Sequence, residues 1–362
     1  MIKSIKAHIV PVIVLFILSL LFLNSILHKG VILDNIHYIN DLTFVSHNAK
    51  DSLNNGEFAL WTPYFYSGHP LLAVPENYML DLNFLFIYLF NNIYLAMNLS
   101  LIFYFFIAGA GMYLLAFNLV DNKKASFISA ILYMFNGFVQ SFIMHGHINI
   151  LAGYALIPFI FLFIHKALTS KEWLLYSILT GIFFALQIFS GSMIFFFYTA
   201  LLVFFYIAFN LIRKNFAKAL VKAFFIGVVM AVVALSLASI KLLPVLEFTK
   251  MSSRAVNVSF SEFLGEPIKF SNIARILITN IGNSGLSASI GVIGFVLLIY
   301  GLFNYKKRII WFSSVIIIFS LLFAAGTFIA NWMYNVPGFD KQRHVERALV
   351  LLDFLVLMKE FA

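Results

Sequence analysis

"YLAMNLSLIFYFFIAGAGMYLLAFN", residues 94–118, carries no charged side chain. An α-helix rises about 1.5 Å per residue, so a run of this length exceeds the ~30 Å hydrocarbon core of a bilayer. Its apolar character is continuous rather than alternating. That selects a helix over a barrel strand, the two forms that satisfy their own backbone groups in lipid. Comparable runs occur at 9–27, 126–143, 150–167, 174–190, 194–212, 221–246, 287–304, 309–330 and 346–358. The last is short, and 126–143 and 174–190 are short enough to be re-entrant. The whole chain agrees with this reading. Of its 362 residues 62% are hydrophobic and 11% charged, whereas a soluble domain carries about 25% charged residues. The expected fold is an all-α polytopic membrane protein of about ten transmembrane helices, forming a single transmembrane domain over 1–362.

There is no cysteine, which excludes disulfides, thiolate catalysis and cysteine-ligated metal. The formal charge is +9, yet the basic residues sit in small clusters between apolar runs. Membrane topology explains them better than nucleic acid, which is not an expected partner. Lys3 and Lys6 precede the first run. That run is long for a cleaved signal peptide, and "NSILHKG" (24–30) has no small-x-small cleavage site. An uncleaved first helix with a cytoplasmic N-terminus is expected. Alternation then places "DNKK" (121–124), "HKALTSKEW" (165–173), "RKNFAKALVK" (213–222) and "NYKKR" (304–308) in the cytoplasm, as the bias for positive residues on that side requires.

The opposite, extracytoplasmic side carries three longer segments, 29–93, 247–286 and 331–345. They hold most of the carboxylates, among them Asp34, Asp41, Glu57, Glu76 and Asp81. Connectors between helices are usually short, so these segments are the expected place for function. In the first, "LNNGEF" (53–58) reads as a helix end with Asn55 or Gly56 as left-handed terminator. Thr62-Pro63 restricts the backbone and "SGHP" (67–70) signals a turn. Trp61, Tyr64, Phe65 and Tyr66 suit a membrane interface, where amphipathic rings are favoured.

"GEFALWTPYFYSGHPLLA" (56–73) resembles the first-loop segment of YfhO-like bacterial membrane proteins, which belong to the GT-C class of membrane glycosyltransferases. Further stretches resemble that family in the same order: "GHINILAGYALIPFIFLF" (146–163), "FSGSMIFFFY" (189–198), "LASIKLLPVLEFTKMSSRA" (237–255), "SIGVIGFVLLIYGLF" (289–303) and "VPGFDKQRHVERALVLL" (336–352). Ser192 and Met193 stand where the family has His and Pro, and Lys241 where it has Gln. The likeness runs over nearly the whole chain and corresponds to the N-terminal membrane half of longer members, so a truncated chain is expected.

The resemblance implies a GT-C-like bundle with a large first extracytoplasmic loop. It also implies transfer, with inversion, of a sugar from a polyprenyl-phosphate carrier to an envelope glycan or polymer. Such a reaction needs a carboxylate to take the acceptor's proton and cations to hold the leaving phosphate. Asp34, a few residues after the first helix, is the implied base. Asp41 shares its face if 34–44 is helical, and would orient the acceptor, help hold a divalent metal, or be the base itself. As residues alone, both read first as solvated helix-start acids or N-caps. Arg254, Arg275, Lys341, Arg343 and Arg347 are the phosphate candidates, with interfacial headgroup contact as the plain alternative. Arg343 and Arg347 are four apart and could share a helical face. Lys241, inside an apolar run, must find a partner, line a polar cavity or snorkel. Trp61, Tyr64 and His69 would wall the site. "HGH" (145–147) gives two histidines at i, i+2, too weak a pattern for a metal site, and no cofactor is implied beyond the divalent metal that Asp41 could help hold. Two rivals remain open: a transporter or flippase, with which the glycines of "IAGAGMYLLAF" (107–117) are equally compatible, and a non-catalytic subunit of envelope polymer assembly.

Overall fold

A computed structural model of the chain describes residues 2–27, 43–64, 67–144, 146–212, 216–252, 255, 258–272, 291, 292, 294, 296, 308–352 and 354. The helices are α1 (Ile2–Phe22), α2 (Phe44–Asn54), α3 (Leu82–Leu89), α4 (Ile93–Val120), α5 (Lys123–Met134), α6 (Gly137–Met144) and α7 (Ile148–Thr169). There follow α8 (Trp173–Phe189), α9 (Met193–Leu211), α10 (Phe216–Thr249), α11 (Phe260–Leu264), α12 (Arg308–Ala324) and α13 (Phe328–Tyr334). Between α2 and α3, β1 (Trp61–Thr62) and β2 (His69–Pro70) form a minimal antiparallel hairpin in which Trp61 faces Pro70 and Thr62 faces His69.

The all-α polytopic class is borne out. Among the described residues, α4, α5 with α6, α7, α9 and α10 are each long and apolar enough to cross a membrane. α8 and the apolar part of α1 (His8–Phe22) are shorter. The run read as one span at 309–330 is broken: α12 ends at Ala324 and α13 leaves it at 85°, with Gly326 at φ +68° in the bend. The segment 213–222 was expected to be a connector, but α10 begins at Phe216, so its second half is helix. The run 287–304 lies outside the described residues apart from 291, 292, 294 and 296. The run 346–358 opens as a 3-10 turn at Val345–Ala348, and its end is likewise outside them.

Local chemistry sets the reversals. Asp121, at φ 53°, ends α4, and the Asn122 side chain caps α5 by accepting from the Lys124 and Ala125 amides at 3.0 and 3.2 Å. Between α5 and α6 the ladder breaks at Asn136. Its Oδ1 accepts from Val139 N at 2.8 Å and its amide donates to the Tyr154 hydroxyl at 2.7 Å, so the side chain stands in for part of the interrupted ladder in the apolar interior.

α4 and α7 form the centre, each packed on several neighbours. The glycines of the 107–117 stretch are notches here. A Cβ on Gly109 would lie 2.1 Å from the Met134 sulfur of α5, and one on Gly111 2.5 Å from the Phe159 ring of α7. Small residues let helices approach when lipid offers no hydrophobic drive to associate. At α1, His8 stacks edge-on against Phe117 and meets the Tyr113 hydroxyl at 2.9 Å, so the start of α1 lies beside the end of α4. Alternating directions then put the 121–124, 165–173 and α9–α10 connections at one end of the bundle. The 43–92 segment and the α6–α7 and α8–α9 turns lie at the other.

Candidate functional site

At that second end, four stretches far apart in sequence meet. The chain leaves α6 through Gly146 (φ +71°) and enters α7 at His147. It leaves α8 through Ser190 and Gly191 (φ +78°) into Ser192 and α9. The loop before α3 brings Val74–Tyr78, and the 3-10 turn at Val345–Ala348 brings Arg347. Between them lies a cavity of about 530 Å³. Its polar lining comprises His69, Glu76, Asn77, His147, Asn149, Ser192 and Arg347, and Val45, Leu71, Met193 and Phe195 supply much of the apolar part. Among the described residues Glu76 is its one carboxylate and Arg347 its one permanent cation. A mixed lining of this kind, with hydroxyl, amide, imidazole, carboxylate and guanidinium groups over an apolar wall, suits a ligand with an anionic and a polyhydroxylated part. A second depression, of about 430 Å³, lies at the other end of the bundle between Trp173, Lys218, Lys222 and Phe225.

The cavity floor is held from inside α10. Lys241 is 1% exposed, and its ammonium donates to the carbonyls of Asn77, Ile188 (2.9 Å) and Phe189 (3.3 Å). Three donors meet three acceptors, two of them at the C-terminal end of α8, where carbonyls lack helical partners and carry partial negative charge. The lysine therefore finds its partner in backbone, and it does not line the cavity. Just beyond, Asp81 caps α3 through Asn83 N (3.4 Å) and accepts a hydrogen bond from the Tyr104 hydroxyl of α4. Burial pushes its carboxyl up to about 6, against the opposing pull of Tyr104, the Leu82 and Asn83 amides and the Lys241 charge.

Of the residues singled out in the sequence, His69 and Arg347 line the cavity. Trp61 and Tyr64 do not; their side chains are exposed, with the Trp61 ring lying over Gly68. The expectation that Arg343 and Arg347 share a helical face is corrected. Gln342 is extended and His344 left-handed (φ 72°), so no helix joins them. Arg343 instead points to Glu262 of α11 at 3.2 Å with both side chains about half exposed, while Arg347 turns inward. Lys341 pairs with Asp340 at 3.9 Å. Asp34, Asp41, Arg254, Arg275 and His145 lie outside the described residues. Glu76, Asn149 and Ser192 were not singled out as site residues. Glu76 stood only among the acids of the first long segment, and Ser192 only as a departure from the resembled motif.

A family model described as "6-pyruvoyl-tetrahydropterin synthase related domain; membrane protein" matches residues 82–352. The chain belongs to that family. The matched region supplies the cavity lining between Gly146 and Phe195 and at Arg347, and the stretch before it, from Val45 to Tyr78, supplies nearly half. No curated protein matches the chain. Among solved structures it is similar to the archaeal oligosaccharyltransferase AglB from Archaeoglobus fulgidus, determined in complex with an inhibitory peptide and a dolichol-phosphate. The identity is 15% and the TM-score 0.45, over 98% of this chain and 50% of that one. The chain thus spans half the length of that enzyme.

Proposed function

We propose that the protein is a GT-C-type membrane glycosyltransferase, related to the YfhO-like proteins, that moves a sugar from a polyprenyl-phosphate carrier to an envelope glycan or polymer. One observation carries this reading. The stretches that resemble the YfhO-like family are scattered from 56 to 352, and four of them line the same cavity: 56–73 through His69 and Leu71, 146–163 through His147 and Asn149, 189–198 through Gly191 and Ser192, and 336–352 through Arg347. A fifth, 237–255, supplies the Lys241 that holds the floor. Motif residues kept only for interfacial packing have no reason to converge on one cavity.

In this reading Arg347 receives the carrier phosphate, and its planar fork suits two phosphate oxygens at once. The extracytoplasmic segments lie at the cavity end, with the basic connections and the N-terminus in the cytoplasm. The base is a first-loop carboxylate, Asp34 or Asp41, taking the acceptor's proton as the glycosidic bond to phosphate breaks; a divalent metal held there is compatible with it. Arg254 is a second phosphate contact.

The test is donor-dependent sugar transfer by the full-length protein in liposomes, using a series of polyprenyl-phosphate hexoses. Wild type is expected to turn over. Arg347→Ala should lose donor affinity, and Asp34→Asn should lose turnover by about 100-fold or more with donor binding intact. Absence of transfer by wild type with every donor in the series would reject the reading. Undiminished transfer in both Asp34→Asn and Asp41→Asn would reject the assigned base alone.

A further inference from the structure

Glu76 is exposed to the cavity while the main chain carrying it is held from several sides. Its carbonyl lies against Gly191: a Cβ there would sit 2.3 Å from Glu76 O and 3.1 Å from Asn77 O. Only glycine allows the α8–α9 turn to press its backbone onto that of the first long segment, and φ +78° at Gly191 asks for glycine as well. The next carbonyl, Asn77 O, is taken by the Lys241 ammonium, which reaches it across 164 residues of sequence. The Asn77 side chain in turn accepts from Met79 N at 2.8 Å, and the Tyr78 hydroxyl meets Ser46 Oγ at 2.9 Å. The ammonium is attracted by both Asp81 and Glu76. A cation is costly in an apolar helix, and this one ties three elements together at the cavity floor: the first long segment, the end of α8 and α10.

We propose that Glu76 contacts the ligand bound beside Arg347, and that Lys241 and Gly191 are the positioning residues that hold Glu76 there. The inference rests on the reading of the cavity as the ligand site and is independent of whether sugar is transferred. It assigns to Lys241 a role through backbone, in place of direct phosphate contact. The Lys241 side chain has no donor left for a phosphate, and its reach ends at the floor.

The absence of cysteine makes the test direct, since Glu76→Cys supplies the only thiol in the chain. In liposomes containing the full-length variant, a membrane-impermeant maleimide should label this thiol. A farnesyl-phosphoryl hexose at ten times its dissociation constant should slow labelling by about tenfold, the ratio expected from simple occupancy. Adding Lys241→Met or Gly191→Ala should reduce that protection to less than about twofold, because each frees or displaces the same peptide. Lys241→Met takes the ammonium from three carbonyls, of which Ile188 O keeps the Gly191 N–H at 3.2 Å; should its thermal transition be lost, Gly191→Ala decides, as it keeps the ammonium. Equal labelling with and without the farnesyl-phosphoryl hexose would overturn the contact by Glu76. Full protection in both added variants would overturn the positioning role. Sugar transfer is measured in parallel on liposomes that carry the protein with Glu76 intact: protection without transfer sinks the transferase and spares this inference, and transfer without protection does the reverse.

Discussion

Asp81 sets what burial does to a carboxylate at this end of the bundle. Its pKa rises from 3.8 to about 6, chiefly through desolvation, so the folded chain holds a proton that the unfolded chain releases. The linked stability is fully present below the unfolded value and is lost as pH rises through about 6. The size is on the order of 2–3 kcal/mol for a shift of this extent. Thermal midpoints in detergent should therefore fall between pH 4 and 7, and Asp81→Asn should flatten that slope; an unchanged slope in the variant would place the titration elsewhere. Lys241 and Arg347 show the other side of the residue scale. The sequence demanded that a lysine at 241 find partners, but gave no means to know that they would be backbone carbonyls 52, 53 and 164 residues away. For Arg343 and Arg347 the spacing rule failed because it presumes helix. Left-handed His344 interrupts the chain between them and turns the two guanidinium groups apart.

At the scale of elements, the pattern of apolar runs was the stronger guide. α4, α7, α9 and α10 fall where continuous hydrophobicity put them, because each must satisfy its own backbone in lipid. Breaks were less legible. The bend at Ala324–Phe328 and the interruption at Phe135–Asn136 sit inside apolar text and depend on a few side-chain and backbone bonds, such as those of Asn136. The two-residue strands at 61–62 and 69–70 are too short to show any alternation, though the turn residues between them were visible. The glycines of α4 make a prediction at this scale. Gly111→Leu drives a side chain into the Phe159 ring and should cost about 1–3 kcal/mol by overpacking. Gly109→Ala should cost less, since the Met134 thioether it meets is flexible. Thermal midpoints of the two variants compare them directly, and a more stable Gly111→Leu would contradict the packing described.

For the whole molecule, helix direction gathers Lys123, Lys124, Lys166, Lys171 and Lys218 at one end and the cavity at the other. The bias for positive residues supports the proposal that the cavity end is extracytoplasmic. Single thiols introduced by Asn122→Cys and Glu57→Cys should react from opposite faces of right-side-out vesicles, Glu57→Cys with an impermeant reagent and Asn122→Cys only after permeabilisation. The reverse pattern would invert the topology.

The sequence by itself determined that this chain is a bundle of membrane helices, where most of them lie, and which connections are basic. Those properties are local, and the bilayer imposes them on any run long enough and apolar enough. Only the tertiary structure decided which polar residues share a site. His69, Glu76, His147, Ser192 and Arg347 come together through turns and one buried ammonium, contacts between segments hundreds of residues apart that no periodicity along the chain encodes.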